Sequence, residues 1–150
     1  MNNNCPFCDK DINKLGFSES ENFMAIYNIA PILPGHSLII PKKHFSSLME
    51  FTEDELSEFI SFSREVTKQL LRAFKSEGFD FSLQEKEEAG QTVEHFHLHI
   101  IPRKPGDLGT SGEWYTRTLE NEKHLIDSSS RERLSSKELE EMVNHIKLFK

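Results

Sequence analysis

The sequence has little of several residue types, and each shortage excludes a class of protein. Only two of the 150 residues are cysteine, so the chain is not a disulfide-stapled secreted scaffold. Lys and Arg number 18 against 25 Asp and Glu, a formal net charge of -7, which argues against a nucleic-acid coat or a binder of anionic membranes. No apolar run approaches a membrane span, which needs about 18 residues, and residues 1–7 lack the charged start and apolar stretch of a signal peptide. We therefore expect a cytoplasmic protein without a nucleic-acid or membrane partner.

The residues that are present favour one globular domain. Hydrophobic residues make up 36% of the chain and include 12 Phe, which is enough apolar material for a core and too much for a disordered chain. A chain of 150 residues buries most of the surface that it would expose when unfolded. We expect a single domain that folds without a partner.

In the first half of the chain, periodicity predicts two strands and a long helix. Residues 23–27 and 37–41 are rich in β-forming residues and flanked by turn residues, so they are typical of two strands joined by a loop. Thr52 and Glu55 form a capping box, and apolar residues then recur at three- and four-residue steps until Gly78. This pattern predicts a long amphipathic helix.

The second half adds two strands and a closing helix. Apolar and polar residues alternate over 79–83, which predicts a half-buried strand. After a polar loop, a further strand is predicted from residue 93 to 101, stopping at Pro102, and a second capping box at 135–138 opens a helix to the end of the chain. We predict an α+β domain: an antiparallel sheet with a long helix and a C-terminal helix on one face.

Three histidines at alternating positions are the most informative residues. Successive side chains of a strand point to opposite faces, so His95, His97 and His99 share one face while the apolar residues between them face the core. Neighbouring histidines then lie about 6.6 to 7 Å apart at Cα, within reach of one phosphate group. Two other interpretations stay open: structural histidines, and a zinc site of the carbonic-anhydrase type with all three as ligands.

The only cysteines, Cys5 and Cys8, are separated by two residues. In an intracellular chain this spacing indicates a redox pair or half of a metal site. A redox pair normally lies between a strand and a helix, and nothing before Cys5 can be a strand, so the metal site is favoured. Zinc needs four ligands, and histidines are the best candidates for the other two.

Residues 90–103, GQTVEHFHLHIIPR, resemble the signature of the histidine triad (HIT) superfamily, and residues 34–37, PGHS, resemble that family's second motif. The resemblance spans about residues 5–115 and is closest to the Fhit-like branch, the dinucleoside polyphosphate hydrolases. It implies a HIT-like antiparallel sheet with a long helix. The expected core is 5–115, the C-terminal arm and helix are 116–150, and the expected assembly is a homodimer joined through the long helix and a strand.

The resemblance also implies roles for five residues. His97 would be the nucleophile, attacking the α-phosphate of a dinucleoside polyphosphate to give a nucleotidyl-histidine intermediate. His99 and His36 would hydrogen-bond the phosphate oxygens. Gln91 would contact the bridging-oxygen side of the phosphate chain, and Asn28 would hold the ribose hydroxyls.

A structural zinc is implied in the same way. Some bacterial HIT proteins, and the related galactose-1-phosphate uridylyltransferases, bind zinc through such a Cys pair, a His after the PGH strand and the first triad His. These positions are Cys5, Cys8, His44 and His95 here. Animal Fhit enzymes lack the Cys pair, so the resemblance leaves the substrate open. The alternatives are a Hint-type nucleoside phosphoramidase and a nucleotide-binding regulatory protein with little turnover.

Overall fold

The structure, a computed structural model, describes residues 5–108 and 131–150 and contains one five-stranded antiparallel sheet. The strands are β1 Gly16–Glu19, β2 Phe23–Tyr27, β3 Ser37–Pro41, β4 Gly78–Leu83 and β5 Leu98–Arg103, in the spatial order β1-β2-β3-β5-β4. The helices are α1 Glu53–Phe74 and α2 Ser136–Lys147. Short 3₁₀ helices occupy Pro6–Cys8, Lys10–Leu15, Leu48–Glu50 and Glu87–Ala89. The predicted α+β class, with a long helix and a C-terminal helix, is confirmed. The predicted arm at 116–130 lies outside the described residues.

The two faces of the sheet are covered differently. One face packs against both helices and forms the main core, which includes Phe23, Ile39, Leu70, Ile100 and Ile146. The opposite face carries a smaller apolar cluster of Ile26, Leu38 and Ile40, covered by Phe7, Ile12, Leu15 and Met24. The first residues of the chain therefore cross the face that the helices leave open. Within the described ranges, neither helix is long and apolar enough to cross a membrane.

The local signals placed the helix starts correctly. Thr52 and Glu55 make both bonds of the capping box, 3.2 Å from the Glu55 N–H to the Thr52 hydroxyl and 2.8 Å from the Thr52 N–H to the Glu55 carboxylate. The same arrangement opens α2. Helix α1 ends at Phe74, before the predicted Gly78, because Lys75 adopts the left-handed conformation, with φ 50°.

The predicted pair of strands at 23–27 and 37–41 is confirmed as β2 and β3, which pair in an antiparallel ladder from Phe23↔Pro41 to Tyr27↔Ser37. Strand β1 was not predicted. It has four residues, of which only Phe17 is buried, and its ladder with β2 is interrupted between Gly16 and Ser18. So short a segment shows no alternation that periodicity could detect.

The predicted strand over 93–101 is wrong at both ends. Strand β5 begins at Leu98, because β3 pairs with it only over three positions, from Ile39↔Leu98 to Ser37↔Ile100. The residues before it bond elsewhere, as the Phe96 N–H does to the Phe45 carbonyl (2.7 Å). The strand continues past Pro102 to Arg103, because β3 has ended there and the missing proline N–H interrupts no ladder on that side.

Strand β4 exists as predicted, but its apolar side is the exposed one. Phe79, Phe81 and Leu83 are 46%, 43% and 37% exposed, whereas Ser82 between them is buried. Strand β4 lies at the edge of the sheet, and its apolar side chains share the helix-covered face with Ile100 and Leu98. The helices cover this face incompletely at the β4 edge.

An ion-pair network fastens the end of β5. The Arg103 guanidinium makes a bidentate contact with the Asp107 carboxylate, at 2.9 and 2.8 Å, and a second contact with Asp80 at 2.6 Å. Asp107 also accepts the Lys104 N–H at 2.9 Å. The hydrogen bond from Arg103 lowers the pKa of Asp107 from 3.8 to about 2. Because the folded-state pKa is depressed, this stabilisation is present above about pH 4 and is lost as the pH falls towards 2.

We predict that Asp107→Asn lowers the free energy of unfolding at pH 7 by about 2 kcal/mol, the value linked to a depression of this size. The difference from wild type should shrink between pH 4 and pH 2. Urea unfolding across this pH range measures it, with Glu77→Gln, an exposed carboxylate, as the control that should change little. If Asp107→Asn lowers the free energy of unfolding by the same amount at every pH, the ionised Asp107 carboxylate is not the source of the stabilisation.

Candidate active site and metal centre

The PGH loop before β3 is shaped by a glycine. Gly35 has φ +93°, and a Cβ there would lie 2.8 Å from side-chain atoms of both Phe74 and Pro102. The Gly35 N–H also donates to the buried Tyr27 hydroxyl at 3.1 Å. A larger residue would strain the backbone and displace the loop, so Gly35 sets the position of the next residue, His36.

The central histidine of the triad is held in one tautomer. The His97 ring is 1% exposed, and its Nδ1 lies 2.7 Å from the backbone carbonyl oxygen of His95. A carbonyl oxygen can only accept a hydrogen bond, so Nδ1 carries the proton. In the neutral ring, Nε2 therefore holds the lone pair, which is the state required of a nucleophile.

The other two site histidines form a hydrogen-bonded chain. The backbone N–H of Ile32 donates to His36 Nδ1 at 3.1 Å, so the proton of a neutral His36 is on Nε2. That Nε2 lies 2.8 Å from His99 Nδ1, to which it donates. The proton of a neutral His99 is then on its own Nε2. The site thus presents a lone pair on His97 and an N–H donor on His99, with ring centroids 5.1 Å apart.

Asn28, predicted to hold ribose, lies beside this cluster. It is 7% exposed, and its Nδ2 is 3.3 Å from His36 Nε2. Its Oδ1 accepts the Ala30 N–H at 2.9 Å, which fixes the direction of the amide. The structure therefore brings Asn28 together with the histidines.

Gln91, predicted to contact the phosphate chain, is engaged in its own loop. Its Oε1 accepts the Lys86 N–H at 2.7 Å, and its Nε2 donates to the Ser46 carbonyl at 3.3 Å. Both ends of this amide therefore have backbone partners.

Gln84 is a polar residue that sequence reasoning did not assign to the site. It follows β4, and its Nε2 donates to the Ser82 hydroxyl at 2.5 Å. Ser82 is directly opposite His99 in the β4–β5 ladder, so both side chains lie on the same face. The Gln84 Oε1 is buried and has no hydrogen-bond partner among the described residues. Alternation along β4, with Ser82 and Asp80 on the polar side, was the signal that could have placed it near the site.

The four predicted metal ligands come together. Cys5 Sγ is 3.4 Å from His95 Nδ1, and Cys8 Sγ is 3.6 Å from the same nitrogen. Cys8 Sγ is also 3.3 Å from His44 Nδ1, and the four ligand atoms lie within 4.8 Å of one another. A tetrahedral zinc with bonds of about 2.3 Å to sulfur and 2.0 Å to nitrogen has sulfur–nitrogen edges of about 3.6 Å. The two thiols and two imidazoles therefore fit a tetrahedral metal site.

His95 is held in the tautomer that a metal requires. Its Nε2 donates to the Pro41 carbonyl at 3.0 Å, so the lone pair of the neutral ring is on Nδ1, facing the cysteines. Burial lowers the pKa of His95 from 6.5 to about 4, which keeps the ring neutral at physiological pH. The structure joins His95 to the two free cysteines and His44, not to a three-histidine metal site.

A cavity of about 1030 Å³ opens beside the triad. Its lining includes Phe7, Ile12, Ile26, Asn28 and Leu38. Phe7 lies 5.4 Å from the His97 ring, between ring centroids, and Leu38 is opposite His99 in the β3–β5 ladder. The cavity therefore has apolar and polar lining residues, as ligand pockets commonly do, and it reaches the histidines through Phe7 and Asn28.

Comparison with known proteins agrees with this geometry. The HIT domain family model matches residues 9–106, which include the three triad histidines, His36 and His44. The chain belongs to the HIT family. It is 32% identical over 120 residues to a bis(5'-adenosyl)-triphosphatase of Dictyostelium discoideum, covering 80% of each chain. It is 37% identical over 101 residues to a bis(5'-nucleosyl)-tetraphosphatase (asymmetrical) of Schizosaccharomyces pombe, covering 67% of this chain and 56% of that protein.

A solved structure extends the likeness to the fold. A HIT-like protein from Bartonella henselae superposes with a TM-score of 0.74 at 25% identity, covering 99% of this chain and 98% of the other. The HIT-like antiparallel sheet with its helices, predicted from the triad motif, is confirmed.

Proposed function

We propose that this HIT protein hydrolyses dinucleoside polyphosphates of the diadenosine tri- or tetraphosphate type, with His97 attacking the α-phosphorus. One observation carries the proposal: the 2.7 Å contact of His97 Nδ1 with the His95 carbonyl, which puts the lone pair of the neutral ring on Nε2, the atom that would attack. The burial of His97 keeps bulk water from the ring, so protein groups alone set its tautomer.

The coarser assignment is confirmed: the chain is a HIT-family hydrolase that acts on phosphoanhydride or phosphoramidate bonds of nucleotides. It belongs to the family by residues 9–106, and relatives at 32% and 37% identity are named as a triphosphatase and a tetraphosphatase of dinucleotides. The proposal adds the bond that is cleaved, the intermediate and the role of each residue.

The reaction takes two steps. In the first, His97 Nε2 forms a bond to the α-phosphorus while the bond from that phosphorus to the bridging oxygen breaks, releasing the remaining nucleotide. The enzyme then carries a nucleoside monophosphate on His97, as a phosphoramidate. In the second, a water oxygen attacks the same phosphorus and the water gives up a proton to solvent, while the P–N bond breaks and His97 Nε2 regains its lone pair. The kinetics are ping-pong.

Neighbouring side chains bind the phosphate and the nucleoside. The N–H of His99, oriented through His36, would donate to a non-bridging oxygen, where charge reorganises in the transition state. Asn28, which lines the cavity, would hold the ribose hydroxyls. Gln91 would meet the bridging-oxygen side of the phosphate chain, which requires its amide to exchange the 3.3 Å bond to Ser46 for one to the substrate.

We also propose that the metal of the Cys5, Cys8, His44 and His95 site is zinc and that it is structural. The ligand distances match a zinc tetrahedron, and two thiolates with two imidazoles are a donor set that zinc prefers. Four protein ligands leave no open position for water, so the site supplies rigidity rather than chemistry. It fastens the first residues of the chain to the segment that carries His97.

The proposed assembly is a homodimer in the cytoplasm, with a nucleotide substrate and no nucleic-acid or membrane partner. Support for the dimer comes from the exposed apolar side of edge strand β4, with Phe79, Phe81 and Leu83, and from Ile60 of α1, which is 62% exposed. An exposed apolar strand at a sheet edge is otherwise a site of aggregation. A second copy of the chain would cover it.

We predict that wild-type protein incubated with diadenosine triphosphate gains the mass of one adenosine monophosphate and that His97→Asn does not. The variant should lose at least about a thousandfold in kcat, because removal of a nucleophile abolishes the covalent route. Intact-protein mass spectrometry with rapid acid quenching checks the adduct, and calorimetry with AMP verifies that His97→Asn still binds nucleotide. A His97→Asn variant with the kcat of wild type would rule out the covalent His97 intermediate.

The same assay separates the alternatives. Diadenosine tri- and tetraphosphate and an adenosine phosphoramidate are supplied in parallel, and the products are quantified. Faster cleavage of the phosphoramidate would favour a Hint-type enzyme. Tight nucleotide binding with no turnover of any of the three would favour a regulatory protein.

We predict that Cys8→Ser loses the bound zinc and lowers Tm by more than 5 °C, a shift of about 1 to 2 kcal/mol in a chain of this size. Its kcat per folded molecule should fall by less than about tenfold, because the metal takes no part in the chemistry. Metal analysis, thermal melts and active-site titration measure the three quantities. Wild type stripped of metal and then reloaded is the control. Identical melts of its metal-free and metal-loaded forms would rule out a stabilising role.

We predict that Phe81→Glu shifts the protein from dimer to monomer, because a buried carboxylate at the centre of an apolar interface is unfavourable. Light scattering coupled to size-exclusion chromatography gives the mass. Met49→Glu is the matched control, since Met49 is 83% exposed but lies outside β4. A dimer retained by Phe81→Glu would place the interface elsewhere.

A further inference from the structure

Phe7 belongs both to the metal-binding loop and to the wall of the cavity. It lies in the 3₁₀ helix Pro6–Cys8, between the two candidate metal ligands Cys5 and Cys8. The Cys8 N–H donates to the Cys5 carbonyl at 3.1 Å and closes this turn around Phe7. The Phe7 side chain lines the cavity and packs on the apolar cluster of the open sheet face.

The Phe7 ring also contacts the two histidines that join the sites. Its centroid lies 5.6 Å from that of His95, nearly perpendicular at 84°, and 5.4 Å from that of His97, at 61°. Edge-to-face contacts of this kind depend on the position of the ring. A small movement of the loop would therefore change the wall of the cavity next to the nucleophile.

The two thiols join the Cys5–Cys8 turn to the histidines of the candidate metal site. Its thiols approach His95 and His44 at 3.3 to 3.6 Å, and thiol–imidazole contacts are weak hydrogen bonds. A metal ion on the same atoms would replace them with coordinate bonds. Because Cys5 and Cys8 lie on either side of Phe7, the metal would hold both ends of the segment that carries the ring.

We propose that Phe7 couples the metal site to the nucleotide pocket: metal binding raises nucleotide affinity by fixing the Phe7 wall, and nucleotide binding raises metal affinity. Linkage requires the two effects to be equal. Phe7 is thus a positioning residue for substrate. The inference rests on the proposed function, since it takes the cavity as a nucleotide site.

A second route from the metal to the site runs through the backbone of His95, whose carbonyl sets the His97 tautomer. That route acts on the reactivity of His97 and leaves the apolar wall unchanged. The route through Phe7 acts on binding affinity. Equilibrium binding of AMP, which involves no covalent step, therefore isolates the contribution of Phe7.

The test is calorimetric titration of AMP into zinc-loaded and metal-free protein. Wild type should bind AMP at least about fivefold more tightly when zinc-loaded, the lower end of typical coupling. In Phe7→Ala, the two forms should differ by less than about twofold. Ile12→Ala is the matched control: Ile12 lines the same cavity outside the Cys5–Cys8 turn, so its removal should weaken binding in both forms and keep the ratio.

Equal AMP affinities of zinc-loaded and metal-free wild type would overturn the coupling while leaving the proposed function intact. A metal dependence that survives in Phe7→Ala would overturn the route through Phe7. If neither the zinc-loaded nor the metal-free form of wild type binds AMP, both the proposed function and the coupling are contradicted.

If the metal-free chain does not fold, the coupling through Phe7 is tested by the reciprocal measurement, the effect of AMP on zinc affinity. Zinc affinity is measured by competition with a chromophoric chelator, with and without AMP at the same multiple of each protein's Kd. AMP should raise the zinc affinity of wild type and Ile12→Ala at least about fivefold, and that of Phe7→Ala by less than about twofold. An equal increase in all three proteins would overturn the inference.

Discussion

The site depends on one residue, His95, which contacts three different parts of it through its two ring nitrogens and its carbonyl oxygen. Its Nε2 donates to Pro41 at the end of β3, its Nδ1 faces the two cysteines, and its carbonyl accepts the Nδ1 proton of His97. Each bond constrains the other two, because the ring and the carbonyl belong to one residue. The candidate metal site, the sheet and the tautomer of His97 are therefore parts of a single arrangement.

The charge of the protein and that of its proposed substrate have the same sign. A net charge of -7 would repel a polyphosphate at long range, but the site uses buried imidazoles in place of exposed lysines. His36, His97 and His99 are each at most 1% exposed, and in such surroundings a single oriented N–H donor interacts more strongly than it would in water. Recognition of the proposed substrate would therefore come from orientation rather than from net charge.

Local signals and tertiary contacts differed in what they could predict. The starts of α1 and α2 followed from capping boxes, because both bonds of a capping box lie within four residues. The start of β5 at Leu98 could not be predicted in this way. A strand begins where a neighbour pairs with it, and the neighbour β3 is about 60 residues away in the chain. For the same reason, alternation in β4 indicated a strand but assigned its apolar side to the interior. Whether that side is covered depends on how far α1 extends over the sheet edge.

The sequence by itself determined which side chains could share a site. Alternation grouped His95, His97 and His99 into one candidate site, although only His99 lies in β5, and the spacing of the cysteines indicated a metal site. Both rules concern neighbours in the chain. Only the tertiary structure decided the proton positions on these rings, the engagement of Gln91 within its loop and the place of Phe7 between the candidate metal ligands and His97. Each of those depends on atoms from a distant segment, which no local pattern encodes.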